Sequence, residues 1–233
     1  MTTNRRTRRI AKAMNRVAMP LATAQLRNVI KTAHRRFDRA FAARIEADGQ
    51  REAVRCLPGC AACCERAVLL TWAEADLLVA QHASVVAELL PELDRQNERL
   101  AELGAERAAR SMQETSAQQD HAELVARWLS EREPCAFLDR TRKLCRVYES
   151  RPLACRAHVV TSAPESCAVR PDDAATLPRS APFDEGPEYR DAQLSLMTAT
   201  SEALGGTVLM GLLPSLVPRV FRDRKAGGHT VGV

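Results

Sequence analysis

The chain has 233 residues, a formal net charge of +5 and only nine aromatic side chains: two Trp, two Tyr and five Phe. This length suffices for a single domain with arms. Because aromatics are scarce, Leu, Ala and Val must fill the core, which favours helices over sheets. The charge is too modest for a chain that is basic throughout, and the basic character belongs to the first 37 residues, which contain no Asp or Glu.

The sequence favours a soluble protein of a reducing compartment. Four residues interrupt the apolar stretch between Ile10 and Ala24 that a secretory signal would need, namely Lys12, Asn15, Arg16 and Pro20. The apolar run from Thr207 to Val217 contains Pro214 and is shorter than the roughly 20 residues of a spanning helix. We therefore expect no transmembrane segment and a cytoplasmic location, although the Arg-rich start also suits a mitochondrial transit peptide.

Residues 1–50 are predicted to form a basic amphipathic helical arm. Apolar residues recur at intervals of three and four on both sides of Pro20: Ile10, Met14, Val17 and Leu21, then Leu26, Ile30, Ala33, Phe37, Phe41 and Ile45. The Arg-rich opposite face suits nucleic acid, an anionic membrane or an acidic partner. The alternative is a solvated helix whose apolar stripe packs on the body, which we prefer because basic surface faces are common and usually only solvating. No aromatic interleaves with the basic residues before Phe37, so a base-stacking platform is not indicated.

Residues 51–170 are predicted to form a metal-binding domain with a helical insertion. After an extended piece at 67–70, Thr71 and Glu74 form a capping-box pattern, and Pro91 is expected to start a second helix. Residues 105–122 form either a long antiparallel helical hairpin or a polar excursion. Six residues should lie on one face of the first helix: Trp72, Ala75, Val79, His82, Val86 and Leu89. On that face, His82 is interpreted as a core or boundary histidine with its hydrogen bonds satisfied, rather than as a ligand.

Residues 171–233 are expected to begin as a Pro-rich wrap. A helix is predicted from Glu188 to about Leu204, followed by an apolar stretch, 208–217, that packs on the body. The tail from Arg222 onward should be loose. The predicted fold class is therefore mainly α, a small helical domain around a cysteine metal centre with an N-terminal helical arm.

Eight cysteines fall into two groups, one compact and one spread out. They are Cys56, Cys60, Cys63 and Cys64, then Cys135, Cys145, Cys155 and Cys167. Thiolates bind Zn²⁺ tetrahedrally or build iron–sulfur clusters, and Cys-x-x-Cys lets two sulfurs reach one metal. Since adjacent Cys63 and Cys64 do not easily share one tetrahedron, we expect one of them to serve a second metal or a bridging role. A local four-cysteine zinc knuckle is therefore disfavoured, and we expect the second group to complete the centre.

Two alternatives to metal ligation stay open. Cysteines can be small buried hydrophobes, an interpretation that suits Cys167 better than the crowded first group. Eight cysteines can also pair in 105 ways as disulfides, but a reducing compartment disfavours them.

The motifs C-x3-C-x2-C-C, P-C-x-F-L, C-x-V-Y-E-x-R-P and C-R resemble the CxxCxxCC family of zinc- or iron-chelating proteins, also called YkgJ-like cysteine-cluster proteins. The match runs from about Cys56 to His158, and flagellin lysine N-methylases share the module. The resemblance implies metal ligation by seven cysteines: Cys56, Cys60, Cys63, Cys64, Cys135, Cys145 and Cys155. Cys167 lies beyond the pattern and is our own addition to the ligand set.

Three charged or titratable residues lie beside Cys155. Arg151 and Arg156 are positioned to offset thiolate charge; alternatively, Arg151 pairs with a helix end or with Glu149. His158 is a candidate substitute ligand, since imidazole binds Zn²⁺ well.

Three functions remain in competition, and whether the chain is an enzyme stays open. The first is an accessory, non-enzymatic protein that chelates zinc or iron, with an unidentified protein partner. The second is an iron–sulfur-assisted enzyme that modifies proteins, such as a lysine N-methylase, although no nucleotide or S-adenosylmethionine signature occurs. The third is an interaction protein in which metal stabilises the fold while the basic arm binds nucleic acid.

Overall fold

A computed structural model describes residues 21–49, 54–56, 59–110, 117–160, 167, 186–227 and 230–231. Within these ranges there are seven α-helices, and the mainly α prediction is confirmed. They are α1 (Ala24–Ala47), α2 (Trp72–Gln81), α3 (Ala83–Arg110), α4 (Ala117–Ser130), α5 (Leu153–Ala157), α6 (Pro187–Ala203) and α7 (Leu213–Lys225). The apolar pattern at Ile10, Met14 and Val17 and the Pro-rich stretch 171–185 lie outside the described residues.

In the part of the chain that the structure describes, six short strands pair two by two. β1 (Leu21–Ala22) runs parallel to β6 (Thr230–Val231). β2 (Leu69–Thr71) is antiparallel to β5 (Met210–Leu212), with Leu70 opposite Gly211. β3 (Leu138–Asp139) and β4 (Leu144–Cys145) form an antiparallel hairpin. These strands tie distant parts of the chain together between the helices.

Helix α2 lies at the centre of the core. Thr71 caps it, since the Thr71 hydroxyl accepts the N–H of Glu74 at 3.2 Å while the Glu74 carboxylate accepts the N–H of Thr71 at 2.9 Å. Every residue from Trp72 to Val79 is buried. A helix buried on all sides must be surrounded by other elements, and α1, α3 and α7 all pack against α2. The two hydrogen bonds between Thr71 and Glu74 confirm the capping box that the sequence predicts.

Helix α1 packs into the body through its apolar stripe. Thr23 caps the helix by accepting the N–H of Leu26 at 3.1 Å, and the helix packs mainly against α6. The buried members of the stripe are Leu26, Ile30, Ala33, Phe37 and Phe41. The interpretation of this segment as a packed amphipathic helix is borne out for residues 24–47.

Two buried acids on α2 bind its neighbours. Asp76, which has no exposed surface, accepts hydrogen bonds from Arg27 of α1 at 3.0 Å and from Arg224 of α7 at 2.8 and 3.0 Å. Glu74 contacts Nε2 of His34 on α1 at 3.1 Å. Both acids are therefore compensated by basic partners, as buried carboxylates need to be.

Three local predictions were wrong. The first helix of the insertion stops at Gln81, with His82 as its C-cap, and α3 begins at Ala83. Pro91 therefore lies inside α3 instead of starting a helix. At the other end of the chain, α7 continues to Lys225, so the residues from Arg222 to Lys225 are not loose. The exposed side of α7 is held to α3 by an ion pair between Arg222 and Asp94.

The polar insertion is a helical hairpin as far as it is described. Helices α3 and α4 pack together, and ion pairs cross between the ends of the hairpin. Arg99 of α3 binds Glu131 at 2.8 Å, and Arg95 binds Glu133 at 2.5 Å, just past the end of α4. Residues 111–116, between the two helices, lie outside the described residues.

Candidate metal centre

The first cysteine group lies on a tight turn before β2. Gly59 adopts a φ of 86°, a left-handed conformation that suits glycine. Cys63 and Cys64 then lie on a 3-10 helix, Ala62–Glu65. The N–H of Cys64 donates to the carbonyl of Ala61 at 2.9 Å. This short helix holds the adjacent thiols a few residues before β2, the strand that leads into the core.

The second group is built on the β3–β4 hairpin. Cys145 pairs directly with Leu138. Leu138 is three residues after Cys135 in the sequence. The turn closes where Asp139 accepts the N–H groups of Thr141 and Arg142 at 3.0 and 2.9 Å. Two cysteines separated by ten positions are thus held near each other by strand pairing.

The two groups meet through the backbone. The N–H of Cys135 donates to the carbonyl of Cys64 at 2.6 Å. A second link joins the N–H of Arg55 to the carbonyl of Val160 at 3.0 Å, and the N–H of Val160 approaches Sγ of Cys56 at 3.4 Å. The helical hairpin of α3 and α4 therefore leaves and returns to the same place in the fold.

Cys155 is positioned by a helix that is anchored in the core. Helix α5 begins after Pro152, and the N–H of Leu153 in its first turn donates to Oε1 of the buried Glu74 at 2.8 Å. Cys155 donates its own N–H to the carbonyl of Pro152 at 2.9 Å. The seven cysteines from Cys56 to Cys155 are half-buried and Cys167 is buried; none of the eight forms a disulfide.

The thiols interact electrostatically around Cys63. A side-chain hydrogen bond with Cys64 lowers the pKa of Cys63 to about 7. The same hydrogen bond raises the pKa of Cys64, burial raises the pKa of the other affected thiols, and the charge of Cys63 adds to each increase. The pKa of Cys135 rises to about 12 and that of Cys167 to about 11. Cys63 is thus the thiol that deprotonates most readily, and six others feel its charge: Cys56, Cys64, Cys135, Cys145, Cys155 and Cys167.

Arg151 supplies positive charge to this cluster. Its guanidinium stacks 4.0 Å from the ring centre of Tyr148. From there its charge favours the thiolate forms of four cysteines, Cys56, Cys63, Cys145 and Cys155. Nε of Arg151 is buried without a hydrogen-bond partner. Of the two interpretations of Arg151 drawn from the sequence, offsetting thiolate charge matches these interactions.

Arg156 has a structural role that differs from the charge compensation expected of it. It is buried and donates to the carbonyl of Arg151 at 2.9 Å, to Asp38 of α1 at 2.5 Å and to the carbonyl of Glu149. These bonds hold α5 against α1. The second cation near the thiols is instead Arg66, whose charge lowers the pKa of Cys63. Sequence reasoning missed Arg66 because nothing in its spacing distinguishes it from a solvated residue between the 3-10 helix and β2.

The two histidines differ in their surroundings. Nε2 of His82 lies 3.0 Å from the hydroxyl of Ser150, and burial lowers the pKa of His82. A hydrogen-bonded boundary histidine is what the sequence indicated. His158 is half-buried and caps the C-terminal end of α5, and its role as a substitute ligand stays a prediction.

The donor set fits a thiophilic metal. Eight unpaired thiols with two nearby cations are the chemistry that zinc and iron sites use. Within the described ranges, however, no three His, Cys, Asp or Glu side chains already surround one point as ligands. Metal binding would therefore have to draw the thiols inward, which is common where binding and folding are coupled.

Two concavities of the described residues differ in their relation to the cysteines. Cys135 borders a void of about 10 Å³ together with Gln96 and Trp128. A groove of about 1200 Å³ lies elsewhere, between α1 and α6, and no cysteine lines it.

Among the described residues, no helix is both long and apolar enough to span a bilayer.

Comparison with known proteins gives one match. Residues 55–175 match the family model CxxCxxCC, described as "Putative zinc- or iron-chelating domain". No curated protein and no solved structure matches the chain. The family match covers both cysteine groups and the helical hairpin between them.

Proposed function

Because the chain belongs to the CxxCxxCC family, we propose that it is an accessory, non-enzymatic protein that binds zinc or iron through its cysteine cluster. The proposed ligands come from all eight cysteines: Cys56, Cys60, Cys63, Cys64, Cys135, Cys145, Cys155 and Cys167. The proposal includes a reducing, cytoplasmic setting, in which unpaired thiols persist.

One observation carries the proposal. The hydrogen bond from the N–H of Cys135 to the carbonyl of Cys64, at 2.6 Å, joins two cysteine groups that are separated by 71 positions of sequence. Packing alone gives no reason for eight cysteines, seven of them half-buried, to gather around one short 3-10 helix. Metal ligation gives such a reason, since thiolates converge where an ion binds them.

The charges around the cluster support thiolate ligation. Bringing several thiolates together is unfavourable unless positive charge compensates them. A bound divalent metal would supply most of that charge, and Arg151 and Arg66 supply the remainder from the rim. Holding the metal, and making it available to a partner, is the chemistry that this arrangement supports.

An accessory role suits the space around the thiols. The 10 Å³ void beside Cys135 has the volume of about one water molecule. The 1200 Å³ groove is lined by residues of α1 and α6, away from the sulfurs. An enzyme that modifies proteins would need a cleft at its reactive centre.

Anaerobic purification with elemental analysis and a visible spectrum tests the proposal. We expect zinc or iron in stoichiometric amounts, with no methyl transfer from S-adenosylmethionine to protein substrates. Bound iron with acid-labile sulfide and methyl transfer would favour the enzyme instead. A chain that holds no metal after loading with either ion would contradict both.

A further inference from the structure

The turn between β3 and β4 displays positive charge next to the cysteine cluster. Between Asp139 and Arg151 the chain carries five basic and two acidic residues. The side chains of Arg140 and Arg142, on the turn itself, are 67% and 78% exposed. The carboxylates that they approach, on Glu133 and Asp139, lie 3.9 and 4.0 Å away. Exposed ion pairs at such distances are weak, so the turn keeps most of its positive charge.

The turn is fixed before anything binds to it. The carboxylate of Asp139 accepts the N–H groups of Thr141 and Arg142 at 3.0 and 2.9 Å. Lys143, which is also exposed, adopts a φ of 55°, a left-handed conformation in which glycine or asparagine is usual. Backbone geometry therefore gives no reason for a lysine at this position. A cation on a rigid turn, in contrast, loses little conformational freedom when it meets an anion.

Two large apolar side chains are exposed beside these cations. Leu144 is 48% exposed and Tyr148 is 54% exposed, and both lie within three positions of Cys145. The guanidinium of Arg151 stacks 4.0 Å from the ring centre of Tyr148, which supports the ring at the surface. The segment therefore exposes cations and apolar groups together, next to a candidate metal ligand.

We propose that a hairpin surface, formed by Arg140, Arg142, Lys143, Leu144 and Tyr148, docks an acidic segment of a partner protein that carries an apolar side chain. The inference rests on the proposed function, because it identifies where a partner that exchanges metal with the cluster docks. Charge complementarity selects an acidic partner. Tyrosine and arginine are among the residues that contribute most at protein–protein interfaces, and burial of an exposed leucine adds to affinity.

The hairpin surface suits a protein better than a nucleic acid or a membrane. Nucleic-acid sites without sequence preference align many phosphate contacts or stack successive bases on aromatic rings. Tyr148 is the single aromatic residue between Asp139 and Arg151, and Arg151 covers one face of its ring. Peripheral membrane binding relies on a long amphipathic helix or an attached lipid chain, whereas this surface is a short turn.

Fluorescence anisotropy of a labelled acidic peptide tests the proposal. The reduced full-length protein is titrated, at ~0.15 M salt, into a short synthetic peptide of Glu and Leu, or into the same peptide with Ser in place of Leu. We expect tighter binding of the Glu–Leu peptide. Two variants should each weaken that binding by about tenfold: Leu144→Ser, and Arg142→Gln combined with Lys143→Gly, whose glycine suits the left-handed turn. The matched control, Arg35→Gln with Arg39→Gln, removes the same charge from exposed positions of α1 and should bind as the wild-type protein does.

Four results overturn the proposal: no binding, equal affinity for the two peptides, unchanged binding by both hairpin variants, or an equal loss in the α1 control. Tighter binding of oligo(dT) or of phosphatidylserine vesicles, weakened by the same substitutions, also overturns it and assigns the surface to nucleic acid or lipid. If circular dichroism shows that one hairpin variant does not fold, the other decides.

The zinc content of each variant separates this inference from the function on which it rests. Hairpin variants that retain zinc but lose the peptide support a docking surface distinct from the metal centre. A protein that binds the peptide through the hairpin surface but holds no metal after loading contradicts the proposed function and leaves the docking surface standing.

Discussion

The main-chain N–H of Leu153 donates to Oε1 of Glu74 at 2.8 Å, which joins the short helix that carries Cys155 to the centre of the core. The same carboxylate also accepts the N–H and the hydroxyl of Thr71 and contacts His34. One buried side chain on α2 therefore links the N-terminal helix, the core and the candidate metal centre.

Replacing Glu74 should destabilise the fold. In Glu74→Gln, an amide NH₂ must face one of the N–H groups that the carboxylate now accepts, and an unsatisfied buried donor costs about 1–3 kcal/mol. We expect a loss of that size in urea unfolding at pH 7. Glu88→Gln is the matched control, because Glu88 pairs with Arg146 at the surface, and its loss should not be measurable. Equal stability of Glu74→Gln and the wild-type protein would contradict this account.

The effect of Glu74 should depend on pH. Burial alone would raise the pKa of Glu74, but the hydrogen bond and charge of His34, with the N–H groups of Leu153 and Thr71, hold it below its usual value. A carboxyl with a depressed folded-state pKa stabilises the fold above its unfolded-state pKa of about 4.3. That stabilisation disappears as the pH falls through the lower folded-state value.

Unfolding free energies from pH 7 down to pH 3 check the sign of this effect. The difference between the wild-type protein and Glu74→Gln should stay constant above about pH 5 and shrink in acid. A difference that grows as the pH falls would mean that Glu74 is protonated in the folded protein.

Asp76 should contribute more to stability than surface acids do. It is fully buried and shared by Arg27 and Arg224, so Asp76→Ala leaves two guanidinium groups without their partner. Removing one member of a buried pair costs about 3–5 kcal/mol. Asp94→Ala serves as the control, since Asp94 pairs with the exposed Arg222 and surface pairs contribute about 0–1 kcal/mol. Thermal unfolding of both variants measures the two losses of stability. Similar losses would contradict a special contribution of the ion pairs that Asp76 makes with Arg27 and Arg224.

Arg151 should strengthen metal binding without being a ligand. Its charge favours the thiolate forms of nearby cysteines, so Arg151→Gln should weaken zinc affinity by roughly tenfold, the lower end of effects beyond the ligand shell. Competition with a chromophoric chelator measures the change. Arg140→Gln, at an exposed position of the hairpin turn, should leave affinity unchanged. Equal affinities for the two variants would remove Arg151 from the account.

Local signals in the sequence predicted local structure. Thr71 and Glu74 lie three positions apart, and the capping box that they form depends on nothing distant. The apolar spacing from Leu26 to Phe41 likewise predicted which face of α1 is buried. In contrast, Pro91 was placed at a helix start because proline favours that position, yet α3 begins eight residues earlier and tolerates it.

Contacts across long stretches of sequence could not be predicted in this way. Arg156 binds Asp38, 118 positions away, and a charge pattern does not reveal its partner before the helices pack. The cysteine spacings predicted that two groups converge, and the contact between Cys64 and Cys135 agrees with that. The position of Arg66 beside the thiols was not predicted either, because it depends on the turn that carries this residue.

The central claim is that sulfurs from both sides of the helical hairpin bind metal together, and mass-spectrometric mapping of alkylation tests it most directly. The reduced protein is treated with an alkylating reagent with and without zinc, and the extent of modification is read at each cysteine. We predict that zinc protects Cys60, Cys63 and Cys64 together with Cys135, Cys145 and Cys155, at the same zinc concentration. Protection of one group alone, or of neither, would contradict the shared centre.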